Sequence, residues 1–235
     1  MATDLRGGTT TDDTVPELQA GDRLTREEFE RRYDAMPRHV KAELIDGKVY
    51  MMASPVSSPM HGRPHARLVT WLVTYEASTP GVEATDNATV RLGVVDEPQP
   101  DTLLRVLPDC GGQTVNDGKY IAGPPELVCE AAASSVNYDL HEKKDIYRRF
   151  GVKEYIVWRV EDRAIDWFAL RGEAYELLEP NSEGIIASKV FPGLWLDAEA
   201  LLSGNLKRVL EVVNTGATSQ EHAVFVRRLA SAKST

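Results

Sequence analysis

The run Leu127-Val128-Cys129-Glu130-Ala131-Ala132-Ala133 sets one charge inside an otherwise continuous apolar stretch. A run without polar alternation is the pattern of a β-strand covered on both faces, so the chain must supply packing layers on each side of it. The same run poses an electrostatic problem. A lone carboxylate there is protonated or unstable unless a cation or a paired donor meets it. Glu43, Asp101 and Lys143 also sit beside or inside segments that read as core, where charged side chains are rare unless paired or metal-bound.

Length and composition bound the rest. Of 235 residues, 42% are hydrophobic, which suits one globular body of roughly 170–190 residues with tails. The net charge of −9 argues against a protein that coats nucleic acid with a broad basic face, though a local basic cleft remains compatible with it. Cys110 and Cys129 are the only cysteines and form no CxxC pair, so neither a zinc knuckle nor a disulfide framework is indicated. No apolar stretch approaches the roughly 20 residues of a membrane span, and the N-terminus lacks the basic and apolar parts of a signal peptide. A cytoplasmic protein with no membrane partner is expected.

Residues 1–22, rich in Thr, Asp and Gly, read as a disordered tail, with order beginning at Thr25. Thr25 and Glu28 form a capping box and Leu24 with Phe29 a hydrophobic staple, predicting a helix over 26–33. Asp46-Gly47 between two short apolar runs predicts a β-hairpin over 42–52. A Ser/Pro-rich loop over 54–59 should precede a helix over 62–77, with Pro64 in its first turn. Strands are expected at 87–95, 101–107, 126–133, 154–160 and 164–170, a Gly-rich connection at 110–123, and a helix at 139–150 ended by Gly151. The signals at 173–178 and 184–190 read as a meander. Leu206, Val209, Leu210 and Val213 predict a helix before Gly216, with a second one to Ala230. The division expected is a tail over 1–22, a main domain over 23–203 and a helical extension over 204–235.

The chemistry centres on Asp101 and Glu130. Two nearby carboxylates repel one another unless a cation lies between them. Mg²⁺ keeps several waters and needs only one or two carboxylates besides substrate phosphate oxygens, so this pair suffices. Asp139, Lys143 and Tyr147 recur at intervals of four on the following helix, which lets Lys143 reach back toward Glu130. Carboxylates, a hard dication and an ammonium are the parts of a metal-dependent phosphodiesterase site, with Mn²⁺ as a substitute metal.

The ordered motifs Glu-Leu-Ile-Asp-Gly (43–47), Ser-Pro followed by His (58–61), Pro-Asp (100–101), Pro-Pro-Glu-Leu-Val-Cys-Glu (124–130), Asp-x-x-x-Lys-x-x-x-Tyr (139–147) and Gly-Val-Lys-Glu-Tyr-Ile-Val (151–157) resemble the Uma-type putative restriction endonucleases of the PD-(D/E)XK superfamily over roughly residues 24–200. The resemblance implies an α/β fold, a central mixed β-sheet flanked by helices, and an endonuclease acting on nucleic acid, taken as DNA. It implies Asp101 and Glu130 as metal ligands, Glu43 as an additional acid and Lys143 as the lysine supplied from the next helix. Ala132 stands where the superfamily's usual lysine would be. His61 matches a polar residue near the site, with Met60 where the family usually has Glu, and Tyr147 is a second accessory candidate.

Two further functional classes compete. One is a catalytically inactive module that keeps the fold and binds nucleic acid or a protein. The other is a homodimer or other assembly joined through the helices beyond Leu201. Two basic clusters, Arg63/His65/Arg67 and Lys143/Lys144/Arg148/Arg149/Lys153, could hold phosphates if both lined one cleft.

Overall fold

The computed structural model describes residues 15–52, 57–133 and 135–233. The elements in chain order are α1 (Arg26–Asp34), β1 (Ala42–Ile45), β2 (Lys48–Met51), a π-helical turn (Ser58–Gly62), α2 (Arg63–Glu76), β3 (Val82–Asp86), β4 (Val90–Arg91) and β5 (Thr102–Val106). There follow a short 3₁₀ turn (Pro108–Cys110), β6 (Val115–Asp117), β7 (Tyr120–Ala122), β8 (Leu127–Ala132), α3 (Val136–Tyr138), a second π-helical turn (Asp139–Lys143), α4 (Lys144–Phe150), β9 (Glu154–Arg159), β10 (Ala164–Arg171) and β11 (Ala174–Leu177). The chain then forms β12 (Ile185–Ala187), β13 (Trp195–Asp197), α5 (Ala198–Ser203), α6 (Leu206–Ala217) and α7 (Gln220–Lys233).

A six-stranded mixed sheet ordered β11-β10-β9-β8-β5-β3 forms the middle layer, with β8 and β9 parallel and the other pairs antiparallel. Every residue of β8 is buried, as its unbroken apolar run demands. Leu127, Cys129 and Ala131 join a core cluster with Leu68, Trp71, Leu72 and Tyr75 of α2. Val128 and Ala132 join Tyr147 and Tyr155 in a second cluster. Alternate β8 residues thus belong to clusters on opposite faces. The α/β architecture implied by the resemblance is the one observed.

Local signals act largely as expected. Thr25 Oγ1 accepts from the Glu28 amide at 3.4 Å, but the Glu28 carboxylate pairs with Arg31 and Arg32 instead of closing the capping box. Asp46 and Gly47 both take positive φ, at 52° and 72°, the geometry of a two-residue hairpin turn. Trp71 and Trp167 meet edge to face across the core at 5.5 Å, and Trp71 Nε1 donates to the Trp195 carbonyl.

Several boundaries differ from expectation. Packing starts ahead of Thr25: Leu18 is buried and the Gly21 amide donates to the Val49 carbonyl. Residues 1–14 of the expected tail lie outside the described residues, as do residues 54–56 of the loop at 54–59. The strand predicted at 87–95 is replaced by β3 and β4, because Asn87 takes φ 50° and breaks the extended run. The connection at 110–123 contains the β6–β7 hairpin. Of the predicted meander, β11 extends the large sheet, but β12 pairs with β13. The departing segment is tied down where the Glu154 carboxylate accepts from Ser188 Oγ and the Lys189 amide. The helix expected before Gly216 closes at Ala217 and a second follows it, as predicted; the backbone of Gly193 packs against Gly216. A Cβ at Gly216 would lie 2.1 Å from Gly193 O. Val209 and Val213 of α6 and Phe225 and Leu229 of α7 belong to the main core cluster, so their apolar stripe is spent within the chain.

Candidate metal and catalytic site

The strand register creates the site. Thr102 of β5 pairs with Cys129 of β8, so one antiparallel step beyond the ladder brings Asp101 beside Glu130. The Asp101 amide donates to Glu130 Oε2 at 3.3 Å, and the Ala131 amide donates to Asp101 Oδ2 at 2.7 Å. Two acids about thirty residues apart in sequence are thereby locked at the same end of neighbouring strands.

Lys143 lies in the π-helical turn between α3 and α4, buried at 4% exposure. Its Nζ is 2.9 Å from Glu130 Oε1 and 3.2 Å from Glu43 Oε2, with Asp139 Oδ1 at 3.9 Å. Burial alone would lower the lysine pKa. The carboxylates of Glu130, Glu43 and Asp139 outweigh that and hold the ammonium charged well beyond its ordinary range. Glu130 moves the other way. Burial raises its pKa well above the carboxylate range, and Asp101, Asp139 and Glu43 add to the rise against the opposing pull of Lys143.

Glu43 arrives from β1 and is 3% exposed. Tyr138 Oη donates to its Oε1 and the Gln99 amide to its Oε2, both at 3.1 Å. Tyr147 Oη donates to Glu130 Oε1 at 3.2 Å, so this core tyrosine also orients the acid. His61, in the first π-helical turn, places Nδ1 3.2 Å from the Ala131 carbonyl and Nε2 3.4 Å from Asp101 Oδ1. All six candidates from the sequence therefore meet in one neighbourhood. Five of them, Glu43, His61, Asp101, Glu130 and Lys143, line a cavity of about 390 Å³, and Tyr147 supports it from within the core.

Both π-helical turns carry site residues, the setting in which such turns commonly occur. Sequence reasoning missed Tyr138 as a partner of Glu43, and it took Asp139 only as a register mark. Asp139 is 3% exposed, accepts from Ser135 Oγ at 2.6 Å and faces Lys143. Its spacing of four from Lys143 was the available signal; the signal for Tyr138 was nil. Apart from Lys143, no member of the two basic clusters lines the cavity. Its basic lining is Lys41, His61 and Lys143. Arg148 and Arg149 pair with Asp145, and Arg149 also with Asp46.

The donor set fits a hard dication. The carboxyl groups of Glu43, Glu130 and Asp139 surround one ammonium, Asp101 stands beside Glu130, and oxygen donors from adjacent strands are the chemistry Mg²⁺ takes. Among the described residues no helix is long and apolar enough to cross a membrane.

No curated protein matches the chain. Among solved structures, a protein described as a putative nuclease belonging to DUF820, from Anabaena variabilis, aligns with a TM-score of 0.53 at 13% identity, covering 81% of this chain and 99% of that one. At that identity the likeness speaks to the fold alone. The profile of the Uma2 family, described as putative restriction endonuclease, matches residues 26–199, a span that contains every site residue above, and the chain belongs to that family.

Proposed function

We propose that this protein is a divalent-metal-dependent endonuclease that hydrolyses phosphodiester bonds in DNA, with Asp101 and Glu130 holding Mg²⁺ or Mn²⁺. The observation that carries the reading is the excess of carboxylates around a single buried ammonium at the wall of a cavity. When bound, the metal supplies Lewis acidity, lowering the pKa of a water and polarising a phosphoryl oxygen.

The chain's own residues account for the remaining work. Lys143, whose pKa the Glu130, Glu43 and Asp139 carboxylates raise against the opposing effect of burial, is suited to a donor's role rather than a general base's. It donates hydrogen bonds, orienting the attacking water or stabilising the charge that develops on the phosphate. Glu43 fixes that ammonium and is itself fixed by Tyr138 and the Gln99 amide. Tyr147 holds the Glu130 carboxylate in place.

The test is cleavage of single- and double-stranded DNA with Mg²⁺ or Mn²⁺, wild type against Asp101→Asn, each with an EDTA control. Metal-dependent cutting that falls to the EDTA background in the variant is expected. Cutting unchanged by the substitution sinks the reading. A wild type that binds DNA without metal, cuts nothing and is indifferent to Asp101→Asn is instead a binding module on a nuclease fold.

A further inference from the structure

Asp101 has one carboxylate oxygen whose partner in the site is not an N–H donor of the backbone. Its Oδ2 accepts from the Ala131 amide, while Oδ1 faces His61 Nε2 at 3.4 Å. On the other side of the same ring, Nδ1 lies 3.2 Å from the Ala131 carbonyl. A carbonyl only accepts, so Nδ1 carries the proton, and Nε2 of the neutral ring then presents its lone pair to a carboxylate oxygen. Two acceptors face each other, a conflict that a proton on Nε2 or a cation shared between them removes. A backbone carbonyl fixing the distal nitrogen is also the usual support behind a metal-ligating histidine.

His65, four residues on and inside α2, brings a second imidazole, with the two ring centroids 5.5 Å apart. Its Nε2 is buried and lies 2.5 Å from Asp86 Oδ1. Ligating atoms of His61, His65 and Asp101 all lie within 4.8 Å of one another. We propose that His61, His65 and Asp101 form a binding site for a transition-metal dication, separate from the Asp101–Glu130 pair and sharing Asp101 with it. Two imidazoles and one carboxylate suit Zn²⁺, Co²⁺ or Ni²⁺ and disfavour Mg²⁺, which prefers oxygen donors and retains its waters.

The binding claim does not depend on the nuclease reading, although a cation placed there would sit next to the attacking site of that reaction. The experiment is calorimetric titration of the full-length untagged chain with Zn²⁺, and separately with Co²⁺ followed by its visible absorption, for wild type, His61→Ala, His65→Ala and Glu130→Gln, with thermal melts to verify folding. Wild type should bind Zn²⁺ in the micromolar range or tighter, each histidine variant at least tenfold more weakly, and Glu130→Gln should retain the histidine-dependent event. Zn²⁺ affinity unchanged by both histidine substitutions overturns the proposal, as does the absence of binding by wild type. Failure of Mg²⁺-dependent DNA cleavage would overturn the nuclease reading and leave the zinc titration as it stands.

Discussion

Glu97 sits in an environment that opposes its charge. It is 2% exposed, its Oε2 has no hydrogen-bond partner, and the nearest guanidinium nitrogen, on Arg91, is 4.0 Å away. Burial first, and then the neighbouring Glu30 carboxylate, push its pKa up to about 8 from an ordinary 4.5. Between those values the folded protein holds a proton that the unfolded chain has released, so stability falls as pH rises through this window and the loss is complete above it. Glu97→Gln should flatten that slope and stabilise the protein at pH 9 by about 1–3 kcal/mol, with little change at pH 4. Urea melts across pH check it; a slope as steep in the variant as in wild type rejects the assignment. Lys143 is the opposite case, a buried charge whose neighbours more than compensate for its desolvation.

At the scale of elements, the signals that were legible are the ones set by near neighbours in sequence. Asp46-Gly47 fixes its hairpin through local backbone geometry, and the apolar run of β8 declares a strand covered on both faces. Breaks set by distant partners were not legible. Nothing near residue 190 announces that Glu154 will capture Ser188 and Lys189 and divert the chain from the meander into β12 and β13. Nor does Gly216 reveal whether it ends a helix or lets another backbone approach one. The close contact with Gly193 gives the answer, and it makes Gly216→Ala a costly change despite alanine's better helix propensity. Overpacking there should destabilise by about 1–3 kcal/mol or more, read as a lowered denaturant midpoint. A variant as stable as wild type would mean that α6 can move away from Gly193 freely.

For the molecule as a whole, the net charge of −9 and the carboxylate-rich cavity act together. A cation bound at Asp101 and Glu130 stabilises the folded state alone, because the unfolded chain does not hold the two acids together. Mg²⁺ at about 100 times its Kd should add about 2.7 kcal/mol and raise Tm by roughly 5–10 °C for a chain of this size. Asp101→Asn should abolish that shift. An equal shift in wild type and variant would place the ion elsewhere.

By itself the sequence determined the strand that both layers cover, from its hydrophobic pattern, and, through the family resemblance its ordered motifs carry, the α/β class and the six side chains that meet at the site. Tertiary structure alone decided the pairings. The β5–β8 register sets Asp101 beside Glu130, Lys143 reaches Glu43, Tyr138 reaches Glu43, and His61 faces Oδ1 of Asp101. The physical reason is separation. A contact between residues tens of positions apart depends on how whole elements pack, and burial then sets the charge state of each group after the chain has brought it there.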